Sequence, residues 1–402
     1  MPGTLEGIRV IDLTTVIMGP WAAQMMGDMG ADVIKVETPN GDISRGMGPG
    51  RNKGMAACFL TTNRNKRSIV LDLTQKDGVK ALRRLIGTAD VFMHNFRPKV
   101  MKKFNLGYET FKDTNPELIY CGAYGFRADG PWANKPAYDD VIQTASGLCE
   151  MQELLSDQPR YVPTLMADKT SAYAVFSAIL AALVHRERGG GGQAVEVPMY
   201  ETMVDFVMVE HLYGATFDPP IGQMGYERLI NVERRPYKTS DGAYLTVLPY
   251  TDKNWSDFFK LAKREELMED SAFKSHANRL NNSKKVYAVL AEIVETRPLE
   301  HWLRDLDANN IPVMVVQTKE DLLEDEQLNA TGFWRSVEHP TEGKLRFTDP
   351  PFRYTKSPST ITKLPPTLGE QSGDILEEIG YTHEEIKGLI EKNVSKTSSK
   401  RR

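Results

Sequence analysis

The chain has 402 residues, 41% hydrophobic and 26% charged, with a formal net charge of -4. That length suffices for a large core and two domains. The mild acidity excludes a general nucleic-acid binder, which needs a basic excess. Three widely spaced cysteines, Cys58, Cys121 and Cys149, fit neither a disulfide framework nor a zinc pattern. A cytoplasmic protein is therefore expected, with no membrane span, since the longest nearly apolar run (172–184) is short for a bilayer.

Over the first two hundred residues, short Val/Ile-rich runs alternate with helical patterns. The runs are "IRVIDLT" (8–14), "ADVIKVE" (31–37), "SIVLDLT" (68–74), "DVFMHNF" (90–96), "LIYCGAYG" (118–125) and "QAVEVPM" (193–199). Such alternation predicts an α/β fold with a parallel sheet, helices on both faces, and ligands outside the carboxyl ends of the strands. From Arg45 to Arg67 there are six cations and no acid. That stretch is either a local field suited to a polyphosphate or a solvated basic loop.

"PAYDDVIQTASGL" places Tyr138 and Asp139 before a helix. Tyr138 is a candidate to stack on a ligand and Asp139 a candidate second carboxylate; a turn with an N-cap explains both equally simply. Asp168 stands at the entrance to "KTSAYAVFSAILAAL". As an N-cap it would accept backbone N–H bonds and stay ionised near the positive helix end. An ionised, partly dry carboxylate is also what nucleophilic catalysis by aspartate requires.

The run "RERGGGGQAVEV" follows a helix and precedes a strand, the reverse of a phosphate loop, so it reads as a turn. No G-x-G-x-x-G follows the first strand, no G-x-S-x-G occurs, and the seven histidines form no metal-binding spacing. No metal site is expected. Past Pro219, "RPYK" and "AYLTVL" around "SDG" predict a hairpin, followed by charged helices and the strand "IPVMVVQ". The organisation expected is a large domain over 1–215, a smaller α+β domain over 225–330, and a segment over 335–402 that returns to the large domain.

Several segments together carry a family resemblance. "LEGIRVIDLT", "GPWAAQMMGDMGADVIKVE", "NRNKRSIVLDL", "ADVFMHNFRP", "PAYDDVIQTASGL", "ADKTSAYAVFSAILAAL", "GGGGQAVEVPMYE" and "LGEQSGDILEEIGY" occur in order over nearly the whole chain. The sequence resembles the family III CoA-transferases, which include formyl-CoA and carnitine CoA-transferases and the 2-methylacyl-CoA racemases.

The resemblance implies a Rossmann-like large domain plus a small domain, in an interlocked homodimer. It implies Asp168 as nucleophile. It implies a CoA site drawing on Val16, Ile17, Met18, Leu71, Asp72, Asn95, Phe96, Arg97, Lys103, Tyr138 and Asp139. Acyl-CoA would be a substrate and a small carboxylic acid the acceptor, with no prosthetic group. The racemases carry histidine where Tyr138 stands, and a tyrosine is a poor base near neutral pH. Transferase is thus favoured over racemase, with a CoA-binding protein without turnover as the third reading. Formyl-CoA transferase has glutamine at the position of Ile17, which argues against oxalate and formate as substrates. Arg228, Arg234 and Arg235 are candidates to hold a second carboxylate of the acceptor.

Overall fold

The computed structural model describes residues 1–397. The chain divides into two compact units. The first comprises Met1–Ser146, Tyr161–Phe206 and the chain from Asn329 onward; the second comprises Gly147–Arg160 and Val207–Leu328.

The first unit is built on six parallel strands: β1 (Arg9–Leu13), β2 (Asp32–Glu37), β3 (Lys66–Val70), β4 (Val91–His94), β5 (Ile119–Tyr124) and β6 (Gln193–Pro198), in the order β3-β2-β1-β4-β5-β6. This is the doubly wound order of Rossmann-type sheets. The chain reverses direction across the sheet between β1 and β4, which pair with Val10 opposite Val91 and Leu13 opposite His94. In sheets of this order, ligands bind outside the carboxyl ends of the strands at such a reversal. The Val/Ile runs form strands because β-branched side chains suit a sheet buried on both faces. Val10, Ile11, Val33, Ile34, Ile69, Val70, Val91 and Phe92 are all fully buried.

One layer of the core joins the two ends of the chain. Ile375, Leu376, Ile386 and Leu389, from the helices Ser372–Glu378 and His383–Glu391, pack with Ile69, Leu71, Leu82 and Ile86. The Asp72 N–H donates to the Val394 carbonyl at 2.8 Å. The helix Met166–His185 is long and apolar enough by composition to cross a membrane, but half of that stretch is buried within the protein. It ends in the glycine run, where Gly189 and Gly191 take left-handed φ of 84° and 71°. A Cβ on Gly192 would lie 2.5 Å from the backbone of Glu117 and Leu118, so the turn needs glycine to approach the sheet.

The second unit is α+β. The antiparallel strands β7 (Tyr237–Lys238), β8 (Tyr244–Val247) and β9 (Val313–Val315) pack with the helices Asp252–Ala262, Ser283–Val294 and Leu299–Ala308 around Trp255, Phe258, Phe259, Phe273 and Trp302. Gly242, at φ 87°, makes the expected turn of the β7–β8 hairpin.

Four of the six cations of the basic stretch are paired with acids inside the fold. Within the first unit Arg45 pairs with Glu37 at 2.7 Å, Arg64 with Asp28 at 2.8 Å, and Lys66 with Asp12 at 2.9 Å, all nearly or fully buried. Arg67 pairs with Asp32 and Glu378, and Arg51 donates to the Glu342 carbonyl. The matching acids lie outside the run, in β1, β2, the helix Met18–Asp28 and the helix Ser372–Glu378, so the run reads as unbalanced only in one dimension. Burial lowers the Lys66 ammonium to about 8, against the opposing pull of Asp12. Removing one partner of such a pair strands a charge in the core. Asp12→Ala should therefore destabilise the protein by roughly 3–5 kcal/mol in urea unfolding; a change within experimental error would show that the pair carries no such role.

Candidate active site

The loops at the carboxyl ends of β1 and β4 are tied to each other. The Thr15 N–H donates to Asn95 Oδ1 at 3.1 Å, and Asn95 Nδ2 donates to the Thr15 carbonyl at 2.9 Å. Val16 follows with φ of 74°, a strained conformation for a β-branched residue. Buried charge holds it there. The Val16 N–H donates to Asp42 Oδ1 at 3.1 Å, Asp42 pairs with Lys35 at 2.8 Å, and Lys35 Nζ donates to the Thr14 carbonyl at 3.0 Å. Ile17 and Met18 are buried and begin the helix Met18–Asp28. A Cβ on Gly19 would strike the Thr14 side chain at 2.3 Å, so glycine lets the helix start directly behind the loop.

Other expected CoA contacts differ in what they offer. Leu71 is fully buried in the core, leaving only its backbone for a ligand. The Asp72 carboxylate is engaged locally, by the Thr74 N–H and hydroxyl and by Gln75 Nε2. Phe96 is half-buried. Arg97 is exposed, donates to the Asn134 carbonyl at 2.8 Å, and precedes the helix Pro98–Lys103, which ends in the exposed Lys103. Tyr138 is 64% exposed at the start of the helix Asp139–Ala145.

Asp139 and Asp168, 29 residues apart, are brought together. Asp139 Oδ1 accepts the Asp168 N–H at 2.9 Å, and both residues are buried. Asp168 is not the N-cap. It is the third residue of its helix; Leu165 precedes the helix and supplies no side-chain cap. Asp139 fills that role from the neighbouring helix. Gln143, one turn beyond Asp139, holds the arrangement: its Nε2 donates to Asp139 Oδ2 at 2.6 Å and to the Thr164 carbonyl at 3.2 Å, while its Oε1 accepts the Val162 N–H at 2.9 Å. The sequence reading passed over Gln143, although its (i, i+4) spacing from Asp139 was a usable signal.

The electrostatics also differ from expectation. Burial first, and the Asp139 carboxylate second, push the Asp168 carboxyl up to about 7. Near a helix terminus the dipole contributes about 0.3–1 kcal/mol. Each pKa unit is worth about 1.4 kcal/mol, so burial and like charge outweigh it. Asp168 therefore switches between acid and anion near neutral pH, in a site from which water is largely excluded. His94, at the end of β4, is also buried, and its imidazole falls to about 4, so it is neutral at pH 7.

The CoA-transferase family III pattern matches residues 5–372. The chain belongs to CoA-transferase family III. A succinate–glutarate CoA-transferase of Agrobacterium fabrum is 34% identical over 83% of this chain and 85% of its own. A probable fatty acyl-CoA transferase, Rv3272 of Mycobacterium tuberculosis, is 32% identical over 78% of this chain and 82% of its own. A crystal structure of Rv3272 superposes with a TM-score of 0.81, covering 92% of this chain and 98% of that one at 29% identity. This family III member is thus an enzyme of the CoA-transferase type, with acyl-CoA as a substrate.

The raised Asp168 carboxyl has a signed effect on stability. Its folded value, about 7, lies above the ordinary 3.8, so the unfolded chain ionises more readily. Stability is fully retained below about pH 4 and lost as pH rises through 7. Asp168→Asn should therefore be more stable than the parent at pH 8, by roughly 2–4 kcal/mol, with the difference vanishing towards pH 4. Urea unfolding at the two pH values reads this directly; equal differences at both would contradict the raised value.

Proposed function

We propose that this enzyme moves CoA from an acyl-CoA donor to a carboxylic acid through covalent intermediates on Asp168. The observation that carries the reading is the buried Asp168 carboxyl beside Asp139, poised to ionise near pH 7. A carboxylate is a weak nucleophile in water, so a dry and oriented site favours its attack.

The ionised Asp168 attacks the donor thioester carbonyl. The tetrahedral intermediate collapses to a mixed anhydride and releases CoA thiolate. The thiolate attacks the aspartyl carbonyl, forming an aspartyl-CoA thioester and freeing the donor carboxylate. The acceptor carboxylate attacks that thioester, giving a second anhydride and thiolate. The thiolate then attacks the acceptor acyl carbon, yielding the new acyl-CoA and the free Asp168 carboxylate. One thioester replaces another, so the cycle balances without a further reactant.

CoA is held, in this reading, along the carboxyl ends of β1, β3 and β4. The loop Val16–Met18, the backbone of Leu71 and Asp72, and Asn95 and Phe96 would contact it. Arg97 and Lys103 supply exposed positive charge for its phosphates. Tyr138 and Asp139 would border the reacting end. Asp139 keeps the Asp168 backbone fixed, and Gln143 keeps Asp139 fixed.

The working form is a homodimer in this reading. Val209 (79% exposed), Ile221 (74%), Phe217 and Met224 are exposed apolar side chains of the second unit that a partner chain would cover. Three free cysteines suit a reducing cytoplasm. The acceptor class is that of small organic acids, in line with the glutarate-using relative. A racemase reading is less favoured, because the exposed Tyr138 phenol is a poor base.

The decisive test is an intact-mass spectrum after mixing with succinyl-CoA. A hydroxylamine-sensitive CoA adduct on the native protein, absent from Asp168→Ala, is the expected result. The same adduct on the variant would refute Asp168 as nucleophile. α-Deuterium exchange in a 2-methylacyl-CoA without any adduct would replace transferase by racemase.

A further inference from the structure

The second unit contains a cavity of about 50 Å³ bordered by Arg228, Tyr250, Trp255, His276, Ser283 and Tyr287. No Asp or Glu lines it. A second lining arginine, Arg279, is structural. It is buried, donates to the Phe273 carbonyl at 2.7 Å, pairs with Asp252, and lies 5.6 Å from the Trp255 ring centre. Its charge is balanced inside the unit.

Arg228 stands differently. Its Nε donates to the Tyr287 hydroxyl at 2.9 Å, which fixes the guanidinium plane. Its largest electrostatic partners are two tyrosines, Tyr287 and Tyr226, and among the described residues no carboxylate forms an ion pair with it. A half-buried cation without a counter-ion has lost hydration that an anion would replace. Its planar fork fits a carboxylate better than a spherical ion. Ser283 Oγ accepts from Asn231 Nδ2 at 3.2 Å, which leaves its own proton to donate.

Size and walls narrow the ligand. One water needs about 10–15 Å³ of such space, so the cavity takes roughly three or four heavy atoms. That is a carboxylate and its neighbouring carbon, far too little for a nucleotide. Aromatic walls favour an apolar body over a second charge inside the cavity. Arg234 and Arg235, the other arginines of this segment, are exposed and do not line this cavity.

We propose that the second unit binds the carboxylate end of a short organic acid at Arg228, with Ser283 and His276 as the polar groups beside it. The inference stands apart from the chemistry proposed for Asp168. The test is calorimetric titration of glutarate into full-length Asp168→Ala protein without CoA, with butyrate as second probe. Covalent turnover is impossible in that background, so failure of the aspartyl route leaves the result readable.

Saturable binding is expected, weakened about 10-fold or more by adding Arg228→Gln. Tyr287→Phe, which removes only the hydroxyl that orients Arg228, should weaken it less. Thermal melts of each variant check that it remains folded. Unchanged affinity in both variants would overturn the proposal, as would the absence of saturable binding of either acid at millimolar concentration.

Discussion

The site depends on one hydrogen bond, from the Asp168 N–H to the Asp139 carboxylate. It links two helices from separate parts of the chain and replaces the N-cap that the Asp168 helix lacks. It also sets two negative groups side by side in a buried space. Capping and repulsion thus come from the same side chain: Asp139 satisfies the helix end with one oxygen and raises the neighbouring acid with its charge. Gln143 makes the arrangement rigid, because it binds Asp139 and the 162–164 backbone together.

The sheet supplies the other half of the arrangement. Its strand order reverses between β1 and β4, the place where parallel sheets of this order bind ligands. The loop after β1 is strained at Val16, and a buried charge ladder through Lys35 and Asp42 keeps it so. Breaking such pairs is costly because each leaves a charge without water or partner. Rigid loops of this kind suit a ligand that must present one reacting carbon at one angle.

Much of the fold was legible in the sequence because buried parallel strands leave dense Val/Ile runs. "IRVIDLT", "ADVIKVE" and "DVFMHNF" became β1, β2 and β4, and residues just after them lie at the carboxyl ends of the strands. Charges inside those strands were not legible. Lys35 and Lys66 look solvated in one dimension, and only the fold shows Lys35 buried against Asp42 of the loop after β2 and Lys66 against Asp12 of β1. The state of Asp168 was misread for a related reason. Helix starts are uncertain by a residue or two from sequence, and the distinction between cap and third residue decides whether backbone donors stabilise the anion. The neighbour that raises its pKa lies 29 residues away, beyond any local pattern.

The central claim is that burial and Asp139 tune a nucleophilic Asp168 to ionise near neutrality. The most direct measurement is the rate of CoA-adduct formation as a function of pH, in the native enzyme and in Asp139→Asn. The account predicts a rate that rises with pH through about 7 in the native enzyme, with the midpoint moved lower in the variant. A native rate that is flat between about pH 5 and pH 8, or a midpoint unmoved by the substitution, would contradict it.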